Sequence, residues 1–183
     1  MYLPSNWTEV FKDPLARSIP LWGFFFGGFA LLFSVPADVL DVNPVLAIFV
    51  RAMSSAVPSI TGWGQHSAFP QPTLLYFSYA WASIPLQAFI VFLNRSSEST
   101  FLSAWTENPG RAPLRALALL IALASFVGIT AFVSFGDSAS CSACIGDSKI
   151  ALAILGGFVA FSNAGLIATF GWWVKNFKLL HFS

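Results

Sequence analysis

Four stretches of this chain are long, apolar and free of ionisable side chains, and nothing else in the sequence constrains the fold as strongly. They cover residues 19–36, 73–93, 116–135 and 150–174, and no Asp, Glu, Lys, Arg or His falls inside any of them. A bilayer core is crossed by roughly 20 apolar residues, with about 17 as a short limit. Inside lipid each backbone N–H and C=O must find its partner within the segment, which selects helices. Strands of a membrane barrel would alternate apolar and polar residues over about 10 positions, and these runs do not alternate. The sequence therefore predicts an all-α integral membrane protein, a single membrane domain over residues 1–183 with four transmembrane helices. A water-soluble alternative fails on composition. The chain is 56% hydrophobic and 9% charged, against about 25% charged in soluble domains.

Basic residues in the short connections set the expected orientation. Lys12 and Arg17 precede the first run, Arg95, Arg111 and Arg115 lie between the second and third, and Lys175 and Lys178 follow the fourth. Only Arg51 and Lys149 fall on the opposite side. Both termini are thus expected in the cytoplasm, with the chain in the plasma membrane or a bacterial inner membrane. Lys12, Arg17 and the small residues at Val35-Pro36-Ala37 also fit a signal peptide, but the run is read as a signal anchor that stays in the chain. The sequons at Asn6 and Asn94 fall on the cytoplasmic side, where no glycosylation chemistry occurs.

The connections are themselves apolar. Asn43-Pro44 is a helix start, with Asn as N-cap and Pro at the first helical position. Residues 45–57 then form a short helix at the membrane surface, closed by Pro58, and Ile60 to Gly64 read as a turn. Phe101, Leu102 and Trp105 form an apolar face before the stop Asn108-Pro109-Gly110, and Trp7, Val10 and Phe11 repeat the pattern in the N-terminal tail. Such helices lie on headgroups or on a partner. Trp22, Trp172 and Trp173 are read as marking the cytoplasmic interface and Tyr76 the outer one.

Lipid gives no hydrophobic drive for helix pairing, so small residues that admit close backbone approach carry the packing. Gly23 and Gly27 are so placed in the first run, and Ala118, Ala122, Ala124 and Gly128 in the third. Gly156, Ala160, Ala164 and Ala168 form one face of the fourth. A bundle within the chain and a partner interface draw on the same physics, so both readings stand. Polar groups inside the runs are few. Gln87 and Asn163 are the strongest, and interhelical hydrogen bonding competes with a ligand or ion path for their role. Pro85 is expected to kink the second run.

One motif carries candidate chemistry. Cys141 and Cys144, the only cysteines, sit as Cys-Ser-Ala-Cys in the outer loop before the fourth run. Cys141 and Cys144 are expected to be joined in a structural disulfide on an oxidising side, with a thiol–disulfide exchange pair and plain free thiols as the alternatives. Zinc takes four ligands and only His66 could join from that side, so no metal is expected. Neither histidine lies in a span, so no haem is expected. The spans carry none of the ionisable groups that coupled transporters use, and no nucleotide or hydrolase motif appears. A net charge of +1 implies no nucleic-acid partner. No cofactor is expected, and the sequence leaves open whether a lipid or quinone binds an apolar cleft.

In length, span number, internal termini and long first outer loop, the chain resembles the immunity proteins of pore-forming colicins. That resemblance covers the whole chain at the level of architecture, carries no residue, and implies a protein that meets a toxin within the bilayer. The leading expectation from the residues themselves is a non-enzymatic accessory subunit of a larger membrane complex, whose partners are other membrane proteins and the bilayer. Immunity and thiol oxidoreduction are the two alternatives.

Overall fold

The computed structural model describes residues 14–106, 111–133 and 146–177, with side chains from residue 19 onward. The tail residues Asn6, Trp7, Val10, Phe11, Lys12, Lys178 and His181 lie outside that range. So do Asn108, Pro109, Gly110 and both cysteines, Cys141 and Cys144. Eight helices make up the described chain: α1 (Pro14–Ser34), α2 (Val39–Val42), α3 (Pro44–Ala56), α4 (Ser59–Gln65), α5 (Pro70–Phe92), α6 (Arg95–Thr106), α7 (Ala112–Phe132) and α8 (Lys149–Lys175). No strand occurs among the described residues.

Three of these, α5, α7 and α8, are long and apolar enough to cross a membrane, and the bent pair α3–α4 raises the number to four if it is one broken span. The α1 helix runs for 21 residues, Pro14–Ser34, and its stretch with described side chains, Ile19–Ser34, is a shorter apolar helix. It stops there because Pro36 disfavours helical backbone at Val35.

Local chemistry explains most boundaries. The Asn43 side chain accepts from the Val45 and Leu46 amides, both at 3.2 Å, and Pro44 opens α3. Asn94 opens α6 in the same way, accepting from Ser96 N at 3.1 Å. Ser148 caps α8 through Ala151 N. Pro85 lies within α5, whose helix runs on to Phe92.

Residues 60–64 depart from the sequence reading. They are helical, not a turn, and α4 folds back from α3 at 119°. Burial overrides two glycines here. Ile60 and Trp63 are in the core, and Trp63 stacks on Phe77 of α5 at 5.3 Å with the rings 4° from parallel. Leu74 fills the space a side chain at Gly64 would need.

At the centre, α5 and α8 run side by side in the same direction. Tyr76 pairs with Ala153 near their starts and Trp172 with Phe92 near their ends. The α1 helix runs antiparallel to α5, since Gly28 lies against Tyr76 and Phe24 against Tyr79. The α7 helix runs antiparallel to α8, from Ala116 beside Trp173 to Thr130 beside Asn163. The Pro14 end of α1 and the Lys175 end of α8 therefore lie at the same end of the bundle. Arg95, Arg111, Arg115 and Lys175 gather at that end, while Arg51 and Lys149 sit at the other.

Candidate functional site

The α5–α8 seam is built from matched stripes. Gly156, Ala160, Ala164 and Ala168 are all buried, and Ala80, Ile84 and Ala88 of α5 answer them with the same spacing of four. The Tyr76 ring occupies the place a side chain at Gly156 would take, and its hydroxyl donates to the Ala153 carbonyl at 2.6 Å. Tyr76 is thus a core residue and not the interfacial marker the sequence suggested. Trp172 is likewise buried, donating Nε1–H to the Phe92 carbonyl at 2.9 Å. It continues the stripe 156, 160, 164, 168 by one further step of four, a register that hydropathy alone does not rank above an interfacial role. In α1, a side chain on Gly23 would meet nothing within 4 Å, whereas one on Gly27 or Gly28 would meet Tyr79 or Tyr76.

A cleft of about 600 Å³ opens between α1, α5 and α8. Tyr79, Ser83 and Gln87, four residues apart on α5, line one wall. Ser83 Oγ donates to the Ala80 carbonyl at 2.7 Å and in turn accepts from Gln87 Nε2 at 2.7 Å. Phe24 and Phe25 of α1 and Ile154, Phe158 and Phe161 of α8 form the other walls.

The contrast is α7. Of its 21 residues only Ala112, Ala116 and Ala131 are buried. What holds it is largely polar. The Thr130 carbonyl accepts from Ser59 Oγ at 2.7 Å, and Asn163 Nδ2 donates to Thr130 Oγ1 at 3.1 Å and to the Val159 carbonyl at 2.8 Å. Arg115 donates to the carbonyls of Ala104 and Trp105 at the end of α6. Ala118, Ala122, Ala124 and Ser125 are all exposed, and a side chain at Gly128 would meet nothing within 4 Å. The stripe Gly156, Ala160, Ala164 and Ala168 of α8 is consumed inside the chain, whereas Ala118, Ala122, Ala124 and Ser125 of α7 are not. Asn163, wholly buried, retains an Oδ1 without a hydrogen-bond partner.

At the basic end Lys175 Nζ lies 2.8 and 2.9 Å from the two Glu98 oxygens, and Asn176 Nδ2 donates to Glu98 at 3.0 Å. No local pattern signals this pair, 77 residues apart. The Lys175 hydrogen bond, then that of Asn176, holds the Glu98 carboxyl below its ordinary range. A lowered carboxyl stabilises the contact above its unfolded pKa and loses that contribution as pH falls through the folded value. Amide exchange in α6, corrected for intrinsic rate, is expected to speed up as pH falls through the lowered range of that carboxyl. Glu98→Gln should exchange fast on either side of that range, and a parent protein with pH-independent protection would refute the clamp.

No family model, curated protein or solved structure matches this chain.

Proposed function

We propose that the chain is a non-enzymatic accessory subunit of a larger membrane complex, and that α7 is the helix that meets the partner. In this reading α1, α5, α7 and α8 make four crossings of the plasma or bacterial inner membrane. Both termini are cytoplasmic, and α3–α4 cap the outer end. The basic cluster at the end shared by α1 and α8 supports the orientation. Arg51, exposed on α3, supports a cap over a crossing, since an arginine at mid-membrane is costly.

The observation that carries the reading is the unused small-residue face of α7. A helix that meets only lipid tails has no need of small residues, because tails pack against any apolar surface. A face of Ala118, Ala122 and Ser125 lets a second helix bring its backbone close, which is where intramembrane association gains its dispersion and hydrogen-bond energy.

The test is extraction of the chain from its own membrane in polymer-bounded native discs. A stoichiometric membrane partner should accompany the parent and be lost from Ala122→Leu, with the variant's own helicity and melting unchanged. The bulkier Leu120→Phe, on a different side of α7, should retain it. A chain that extracts alone, or a partner that stays with Ala122→Leu, would overturn the reading.

A further inference from the structure

The cleft between α1, α5 and α8 points to a small molecule, independently of whether α7 has a partner. Its volume of about 600 Å³ falls in the roughly 300–1,000 Å³ range of ligand sites. Trp22, Ile154, Phe158 and Phe161 line it and are also largely exposed on the outer surface. The mouth therefore faces the bilayer side, and a ligand would enter laterally from lipid.

The lining decides the chemistry. Among the described residues no Asp, Glu, Lys, Arg or His lines it, so those walls give a phosphate or ammonium headgroup no counter-charge. Seven of the fourteen lining residues are aromatic, which favours offset or edge contacts with a flat ring.

The proton inventory is lopsided. Tyr76 gives its only O–H to the Ala153 carbonyl, Tyr79 gives its own to Phe24 at 3.3 Å, and Ser83 gives its own to Ala80. None of these hydroxyls therefore has an O–H left to donate into the cleft. Gln87, 5% exposed, spends one amide hydrogen on Ser83, and its carbonyl oxygen makes no hydrogen bond among the described residues. An unpaired acceptor on the wall of an apolar cleft is a position that a donor on the ligand can satisfy.

We propose that the cleft binds a neutral lipid whose head is a flat, hydroxyl-bearing ring of the hydroquinone type. The ring lies between the aromatic walls and donates an O–H to the Gln87 carbonyl.

The test uses the full chain in phosphatidylcholine nanodiscs, with a decyl-substituted hydroquinone titrated under argon and binding read by calorimetry. Saturable one-to-one binding is expected. The dimethyl ether, which lacks donors, and decanol, which lacks the ring, should each bind at least about 10-fold more weakly. Gln87→Leu should weaken the hydroquinone about 10-fold and leave the ether unchanged. Non-saturating uptake, an ether that binds as well as the hydroquinone, or decanol binding more tightly would each overturn the proposal. The ether comparison is made on the unaltered protein and decides the matter even where Gln87→Leu does not fold.

Discussion

Leucine in place of Gly156 is expected to destabilise the protein by about 3 kcal/mol or more, the upper end of what overpacking costs. The Tyr76 ring already stands where the first carbon of any side chain would go. The ring must move, and its hydrogen bond to the Ala153 carbonyl, worth roughly 1 kcal/mol, goes with it. Two helices that run in parallel along the whole seam would have to separate at one end. Ala164→Leu meets the same obstacle at a position with no exposed surface, at about 1–3 kcal/mol. The control lies on the same helix. A side chain at Gly165 would meet nothing within 4 Å, so Gly165→Leu should not destabilise the protein and should gain up to about 1 kcal/mol in helix propensity. Unfolding in mixed micelles with increasing SDS, followed by circular dichroism, gives all three values. If Gly156→Leu and Gly165→Leu unfold together, the seam is not what holds α5 to α8.

The stripe that makes this prediction was visible in the sequence, because small residues at a spacing of four have one physical reading in a membrane helix. What sequence could not assign was the use made of each stripe. Ala118 and Ala122 in α7 look like Ala160 and Ala164 in α8, yet the first pair is exposed and the second buried. Period identifies a face and says nothing about what covers it. The same limit governs the aromatic residues. Tyr76 and Trp172 sit near helix ends, where membrane proteins carry interfacial belts, but both turn inward because Ala153 and Phe92 offer carbonyls to their polar tips.

The cleft was beyond sequence for a related reason. Gln87 stood out as a polar group in an apolar run. Its neighbours Tyr79 and Ser83 gain meaning only once α1 and α8 wall them in. The turn predicted at residues 60–64 failed on two glycines, whose weak helix propensity of about 1 kcal/mol each is outweighed by burial of Ile60 and Trp63. The Glu98–Lys175 contact joins residues that no local pattern links.

Alanine in place of Phe77 should cost about 3–5 kcal/mol, the range for emptying a buried aromatic site. Phe77 is 1% exposed, stacked on Trp63 and edge-on to Tyr76 at 5.4 Å. Removing the ring leaves a hole between α4 and α5, at the point where α4 is seated. The α4 helix is also what fixes the far end of α7, because Ser59 at its first position donates to the Thr130 carbonyl. With so few buried residues of its own, α7 has little apolar contact to fall back on. Phe77→Ala should therefore shift the Trp63 fluorescence and raise amide exchange around Thr130, beside Ala131 of α7, which shares the buried cluster of Phe77 and Trp63. It should also weaken retention of a partner in native discs, since the partner reads the placement of α7. Phe132→Ala removes the same ring from a site 70% exposed, and should leave both readouts near the parent. Equal effects from the two substitutions would mean that α4 is not seated on α5 through this ring, and that α7 takes its position from α8 alone.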